Sequence, residues 1–199
     1  MNRRIETKGI KGFEDYMRRL PDIALKASTM AINDTARKIT AQAKKEILTE
    51  LKFPKSYLNQ RLNVIQFAKG DVQEAVIQGR QRATSLARFG AASLGKGNGV
   101  RVNVGRKGGK TISKAFLMKL NRGRGGSGGF NTGLALRLKK GESIKNKKVP
   151  YSKTGDPGLV LLYGPSVQQA FQQILPDLAD DANEILGKEF NRQFERLSK

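Results

Sequence analysis

Between Arg80 and Lys153 the chain carries nineteen Lys and Arg against one acid, Glu142. The remaining 125 residues hold nineteen basic and sixteen acidic side chains, so the excess is local and not a general aid to solubility. A field of this kind attracts polyanions through counterion release, without reading sequence and without doing chemistry.

A chain of 199 residues with neither cysteine nor histidine is long enough for one domain with a sizeable core. The composition removes thiolate nucleophiles, imidazole bases, disulfides and the usual zinc ligand sets. The acids show no paired arrangement. The expectation is therefore a non-enzymatic binding or assembly protein with no cofactor and no metal. The longest apolar run, Leu159 to Tyr163, is far short of the roughly twenty residues that cross a bilayer. Met1 to Arg4 is basic with no apolar region behind it, so the reading is of a protein made and kept in a cytoplasm, without a membrane partner.

From Pro21 to about Leu51, the recurrence of Ile32, Ala36, Ile39, Ala43 and Ile47 predicts one long helix, stopped by Phe53-Pro54. Phe13 to Leu20 reads as a short leading turn of helix. Leu62, Val64 and Phe67, then Val72, Val76 and Ile77, predict two antiparallel strands about a Lys69-Gly70-Asp71 turn. Val100, Val102 and Val104, and again Leu134, Leu136 and Leu138, alternate with basic or small residues. They predict two half-buried strands of one small antiparallel sheet. Thirteen of the 22 glycines fall between Gly90 and Gly133, predicting a basic, flexible insertion over 90–133. After Gly164-Pro165-Ser166 a second helix runs to the end, with Pro176 expected to kink or restart it. Its stripe of Leu178, Ala182, Ile185, Leu186, Phe190, Phe194 and Leu197 reads as core. The fold class predicted is α+β: a long N-terminal and a C-terminal helix on a small, mostly antiparallel sheet with a glycine-rich basic insertion, forming a single domain over 1–199.

Gly105-Arg-Lys-Gly-Gly-Lys110-Thr111 suggests a phosphate-binding loop, but only three residues separate Gly105 from Gly109 where the nucleotide loop needs four before its Gly-Lys pair. Arg122-Gly-Arg-Gly-Gly-Ser-Gly-Gly129 resembles the arginine-glycine segments of RNA-binding proteins in one short copy, and reads better as an insertion that orders on assembly. With Phe89, Phe116 and Phe130 the only aromatic residues between Arg80 and Lys148, no base-stacking platform is evident. The candidate nucleic-acid or partner-binding residues are Arg80, Arg82, Arg88, Arg101, Arg106, Lys107, Lys110, Arg122, Arg124, Lys139 and Lys140.

Four segments, taken in order, carry a family resemblance: Ala31-Ile-Asn-Asp-Thr-Ala36 leading into Ala41-Gln-Ala43; Arg80-Gln-Arg82 to Leu86-Ala-Arg-Phe89; the glycine-rich middle ending in Gly133-Leu-Ala-Leu-Arg137; and Leu162-Tyr-Gly-Pro-Ser-Val167. Together they resemble the minor tail protein Z family of lambda-like phages, among the tail-completion proteins of long-tailed phages. The resemblance implies a structural virion protein at the head-proximal end of the tail, assembled in the host cytoplasm and needed for head–tail joining and DNA passage. It implies a ring, expected to hold six copies, whose neighbours are tail-terminator, tail-tube or head-connector proteins and whose channel holds double-stranded DNA. The competing reading is a stand-alone RNA- or DNA-binding protein that grips nucleic acid without sequence choice. A third, an enzyme acting on nucleic acid, needs a carboxylate cluster for metal, and no such cluster is visible in the sequence.

Overall fold

Helix α1, Asp22–Glu50, exists because small residues recur on one side of it. Ala24, Ala27, Ala31, Ala36, Ile39, Ala43 and Ile47 are buried with Ser28, Thr35 and Thr40. The expected stripe is met at Ala36, Ile39, Ala43 and Ile47, while Ile32 is only half-buried and Ala31 beside it takes the inward place. The computed structural model describes residues 22–106, 108–120, 131–150 and 158–198. The leading turn read at Phe13–Leu20 lies outside them.

The fold is α+β. After α1 come α2 (Lys55–Arg61), β1 (Leu62–Gln66), β2 (Val76–Gly79), β3 (Thr84–Ser85), a single 3-10 turn at Leu86–Arg88, β4 (Ala92–Ser93), β5 (Val100–Val102), β6 (Lys110–Ile112), β7 (Phe116–Leu120), β8 (Asn131–Arg137), β9 (Lys147–Pro150), β10 (Leu159–Gly164) and α3 (Val167–Leu197). The chain divides into two compact units: 1–47 with 59–80 and 168–199, and 48–58 with 81–167.

In the first unit α1 and α3 run antiparallel, as their side-chain partners show: Met30 meets Arg196, Asp34 meets Arg192 and Gln193, and Gln42 meets Asp181. The expected apolar stripe on α3 is met as far as Leu178, with Ala170, Phe171 and Ile174 buried. Beyond it the pattern changes. Glu189 and Gln193 are buried while Phe190 and Phe194 are half-buried, because α1 presents Asp34 and Lys38 to this stretch. Glu189 accepts from Lys38 Nζ and, at 2.8 Å, from Arg192 Nε. Arg192 also donates to Asp34 at 2.9 Å. α3 continues through Pro176 instead of restarting there, forgoing the hydrogen bond to the Gln172 carbonyl. The hairpin β1–β2 is antiparallel as expected, with Leu62 opposite Gly79 and Val64 opposite Ile77, and a bulge between Val64 and Gln66. Asn33 on α1 holds its far end, donating to the Ala68 carbonyl at 3.0 Å and accepting from the Ala68 N–H at 2.8 Å.

The Lys38 hydrogen bond, with help from Arg192, holds the Glu189 carboxyl below its ordinary value of 4.5, against the opposing effect of burial. A carboxylate whose folded value is depressed contributes stability that is fully present above its unfolded value and is lost as pH falls through the folded one. The urea midpoint of the wild type is therefore expected to exceed that of Glu189→Gln above about pH 4.5 and to converge on it below. A constant gap across that window would rule out the ion pair as the source.

In the second unit β5 and β8, read from the sequence as members of one sheet, belong to two. One has the order β4-β5-β6. The other runs β3-β10-β8-β7, with β9 on the remaining side of β10. All the strand pairs are antiparallel. β8 is buried on both faces, with Leu134, Ala135 and Leu136 all covered, and its two edges are taken by β7 and β10. Ala135, Leu159 and Leu161 form a core cluster against which Met118, Leu120 and Tyr163 pack. Residues 48–58 are stitched in by Lys52 N–H donating to the Val104 carbonyl at 2.8 Å.

The glycine-rich stretch contains β4, β5 and β6, and several of its glycines occupy turn positions. Gly99, at φ +83°, closes the β4–β5 turn through its carbonyl, which accepts from Leu94 N–H at 3.1 Å, and a Cβ there would overlap the Ile112 carbonyl oxygen. Gly99→Ala is expected to lower stability by about 1–3 kcal/mol, as measured by urea denaturation. A change under about 0.5 kcal/mol, the scale of an ordinary surface substitution, would refute the turn's role.

Candidate polyanion-binding surface

The charge follows the structural division. The sequence of the second unit holds twenty basic residues against Glu50, Glu142 and Asp156, giving +17 of the chain's +21, while the first unit has eighteen basic and fourteen acidic residues. The polybasic character thus coincides with one folded unit and its two sheets.

Within that unit the candidate residues have different surroundings. Arg101 projects from β5, opposite Ala92 on β4 and Thr111 on β6, and is exposed. Small neighbours leave its face of the sheet open. Its guanidinium passes over Gly109, where a Cβ would stand 2.8 Å from Arg101 Nε. Lys110 follows at once on β6 and is exposed. Arg101 and Lys110 are therefore brought together on one small sheet. Arg82 is exposed between β2 and β3. Lys139 and Lys140 are exposed in the turn after β8. That turn is shaped by Glu142, whose carboxylate accepts from Lys139 N–H at 3.0 Å and whose own N–H donates to the Lys139 carbonyl at 2.9 Å. The one acid of the basic segment is thus occupied in fixing the backbone of Lys139.

Three candidates have structural work. Arg88 is exposed, yet its guanidinium carbon stands 4.9 Å from the centre of the Tyr57 ring, a cation–π contact. Arg106 caps α1: its Nε donates to the Leu48 carbonyl at 3.0 Å, joined by Nη2, and its backbone N–H donates to the Glu50 carbonyl at 3.0 Å. These are carbonyls that a helix end leaves without intrahelical partners, and a cation there also meets the negative end of the helix dipole. Arg80 belongs to the first unit, where its backbone accepts from Gln168 N–H at 3.1 Å and donates to Arg61 at 2.8 Å. Lys107, Arg122 and Arg124 lie outside the described residues.

The candidate set omitted other exposed cations of the same unit, among them Lys96, Lys114 and Lys147. Lys114 takes a left-handed conformation at φ +60°, and Lys147 sits on the edge strand β9. Their position in the basic segment was the available signal. Among the described residues no group of three or more acids stands close enough to hold a metal ion, and no helix is long and apolar enough to cross a membrane. Comparisons with models of known protein families, with curated proteins and with solved structures each return no match.

Proposed function

We propose that this protein is a structural component of a phage virion, a tail-completion protein at the head-proximal end of a long tail. Its basic unit faces the DNA that passes from head to tail. The observation that carries the reading is the confinement of +17 to one unit, in which Arg82, Arg101, Lys110, Lys139 and Lys140 stand exposed on short strands and turns, joined to the ordered resemblance of the chain's segments to the tail protein Z family. Such a surface holds a duplex by its phosphates with no sequence choice, as a conduit requires. The proposal includes a ring of about six copies, assembled in the host cytoplasm, stacked between tail-terminator, tail-tube or head-connector proteins, and acting without catalysis or cofactor.

The test is the mass of the purified protein by light scattering at low and high salt, with and without short duplex DNA. A ring of about six subunits, formed alone or on DNA, supports the proposal. A stable monomer that binds duplex with a steep salt dependence favours the stand-alone nucleic-acid binder. A monomer that binds none removes the DNA-facing role and leaves an acidic protein as the partner of the charge.

A further inference from the structure

Gly109, unlike its neighbour Gly108 at φ +124°, does not take a left-handed conformation, so its backbone gives no reason for glycine. The reason is space. A Cβ there would overlap the Asn103 carboxamide oxygen and stand 2.8 Å from Arg101 Nε. The two side chains thus close over bare backbone, and the missing methyl is what lets them meet.

β5 aims them. Val100 and Val102 are buried, so Arg101 between them faces outward. Asn103 follows two residues on, and its N–H donates to the carbonyl of the fully buried Phe89 at 2.9 Å, which fixes the end of the strand. Thr111 stands opposite Arg101 on β6 and is exposed, adding a hydroxyl to the same face. Lys110 is paired with Val102 and belongs to the other face. Among the described residues Arg101 makes no ion pair. Its guanidinium is held by neutral neighbours, with its charge unspent.

We infer that Arg101, Asn103 and Thr111 form a built seat for one phosphate diester of nucleic acid, opened by Gly109. Arg101 supplies the charge and a planar fork of N–H donors, and the Asn103 amide and Thr111 hydroxyl add neutral ones. These are side-chain types by which proteins hold phosphate oxygens without reading bases. The inference rests on the DNA-facing reading of the basic unit. To it the seat adds one fixed contact among cations that otherwise act through their summed field. Gly109 is a positioning residue, acting through Arg101.

The test uses the full chain with Gly109→Ala, which changes no charge. The atoms an added methyl meets belong to side chains that can swing away, so the urea midpoint is expected to stay near the wild type's. Affinity for a labelled duplex, read by fluorescence anisotropy, is expected to fall about tenfold and the salt slope to flatten by about 0.9, the share of one phosphate contact. Arg101→Gln is expected to match it, and the double variant to be no worse than Arg101→Gln alone, because the glycine acts through the arginine. Asn103→Ala, which adds no bulk, is expected to weaken duplex binding too, and it carries the test should Gly109→Ala fail to fold. Labelled polyglutamate is expected to bind wild type and Gly109→Ala alike. Folded variants that bind duplex as the wild type does, losses at Gly109 and Arg101 that add, or an equal loss of polyglutamate binding overturn the inference. In the first of these cases the basic surface still stands, without the seat. A wild type that binds no duplex defeats the DNA-facing reading and the seat together, while a loss at Gly109 in a protein that light scattering shows to be monomeric keeps the seat and defeats the ring.

Discussion

Phe89→Ala is expected to lower the stability of the second unit by about 3–5 kcal/mol, read as a fall in the urea midpoint and a loss of cooperativity. Phe89 is fully buried, its ring centre 4.8 Å from that of Phe53. A Cβ at Gly164 on β10 would stand 3.1 Å from its ring carbon, so the ring lies against strand backbone as well as against side chains. Its carbonyl accepts from Asn103 N–H at 2.9 Å, one residue beyond β5. Removing the ring empties a space bounded by the larger sheet, the 48–58 segment and the approach to the smaller sheet. Close-packed neighbours of this kind collapse only partly into such a gap. A loss below about 1 kcal/mol would show that these elements are held by something other than this ring.

The second large effect is on polyanion affinity. Replacing Arg82, Arg101, Lys110, Lys139 and Lys140 together with Gln is expected to flatten the plot of log affinity for duplex DNA against log salt by about 0.9 for each phosphate contact removed, up to ~4.5 in all. Stability should barely change, since all five are exposed. Arg106→Gln gives the contrasting result. Its guanidinium serves the Leu48 carbonyl, so this variant should lose about 1 kcal/mol of stability with little change in slope. The experiment is anisotropy with labelled duplex over a salt series beside urea titrations. An unchanged slope in the five-fold variant would show that these cations do not meet DNA.

Much of the helical and hairpin framework was legible because its signals are local. The alanine and isoleucine steps of α1, and the Lys69-Gly70-Asp71 turn between two β-rich runs, need only neighbours along the chain. What escaped depends on distant segments. Alternation around Leu134–Leu138 announces a strand but not what packs on its second face, so a half-buried strand was expected where β8 has both faces covered over Leu134–Leu136. Nor does any local pattern say that Val100–Val102 and Leu134–Leu136 join different sheets. Glycine was over-read as freedom, since at Gly99 it serves a fixed turn. On α3 the rule that large apolar residues go inside favoured Phe190 and Phe194 over Glu189 and Gln193, and the deciding fact was the chemistry of α1 across the seam. The amount of charge was plain in the sequence. Its division between cations that stand free on strands and turns, one stacked on Tyr57 and one spent on a helix end, was not.

The pairing of α1 with α3 also sets an order of events during synthesis. Lys38 and Glu189 are 151 positions apart and Asp34 and Arg192 158, so the first helix leaves the ribosome long before the residues that complete its seam exist. The basic unit is finished once Val167 has been made. It can fold at the 5–20 residues per second of translation while the alanine stripe of α1 still waits uncovered. Closure of the first unit is thus the late step, and the stripe left bare until then is where a chaperone would act on this chain.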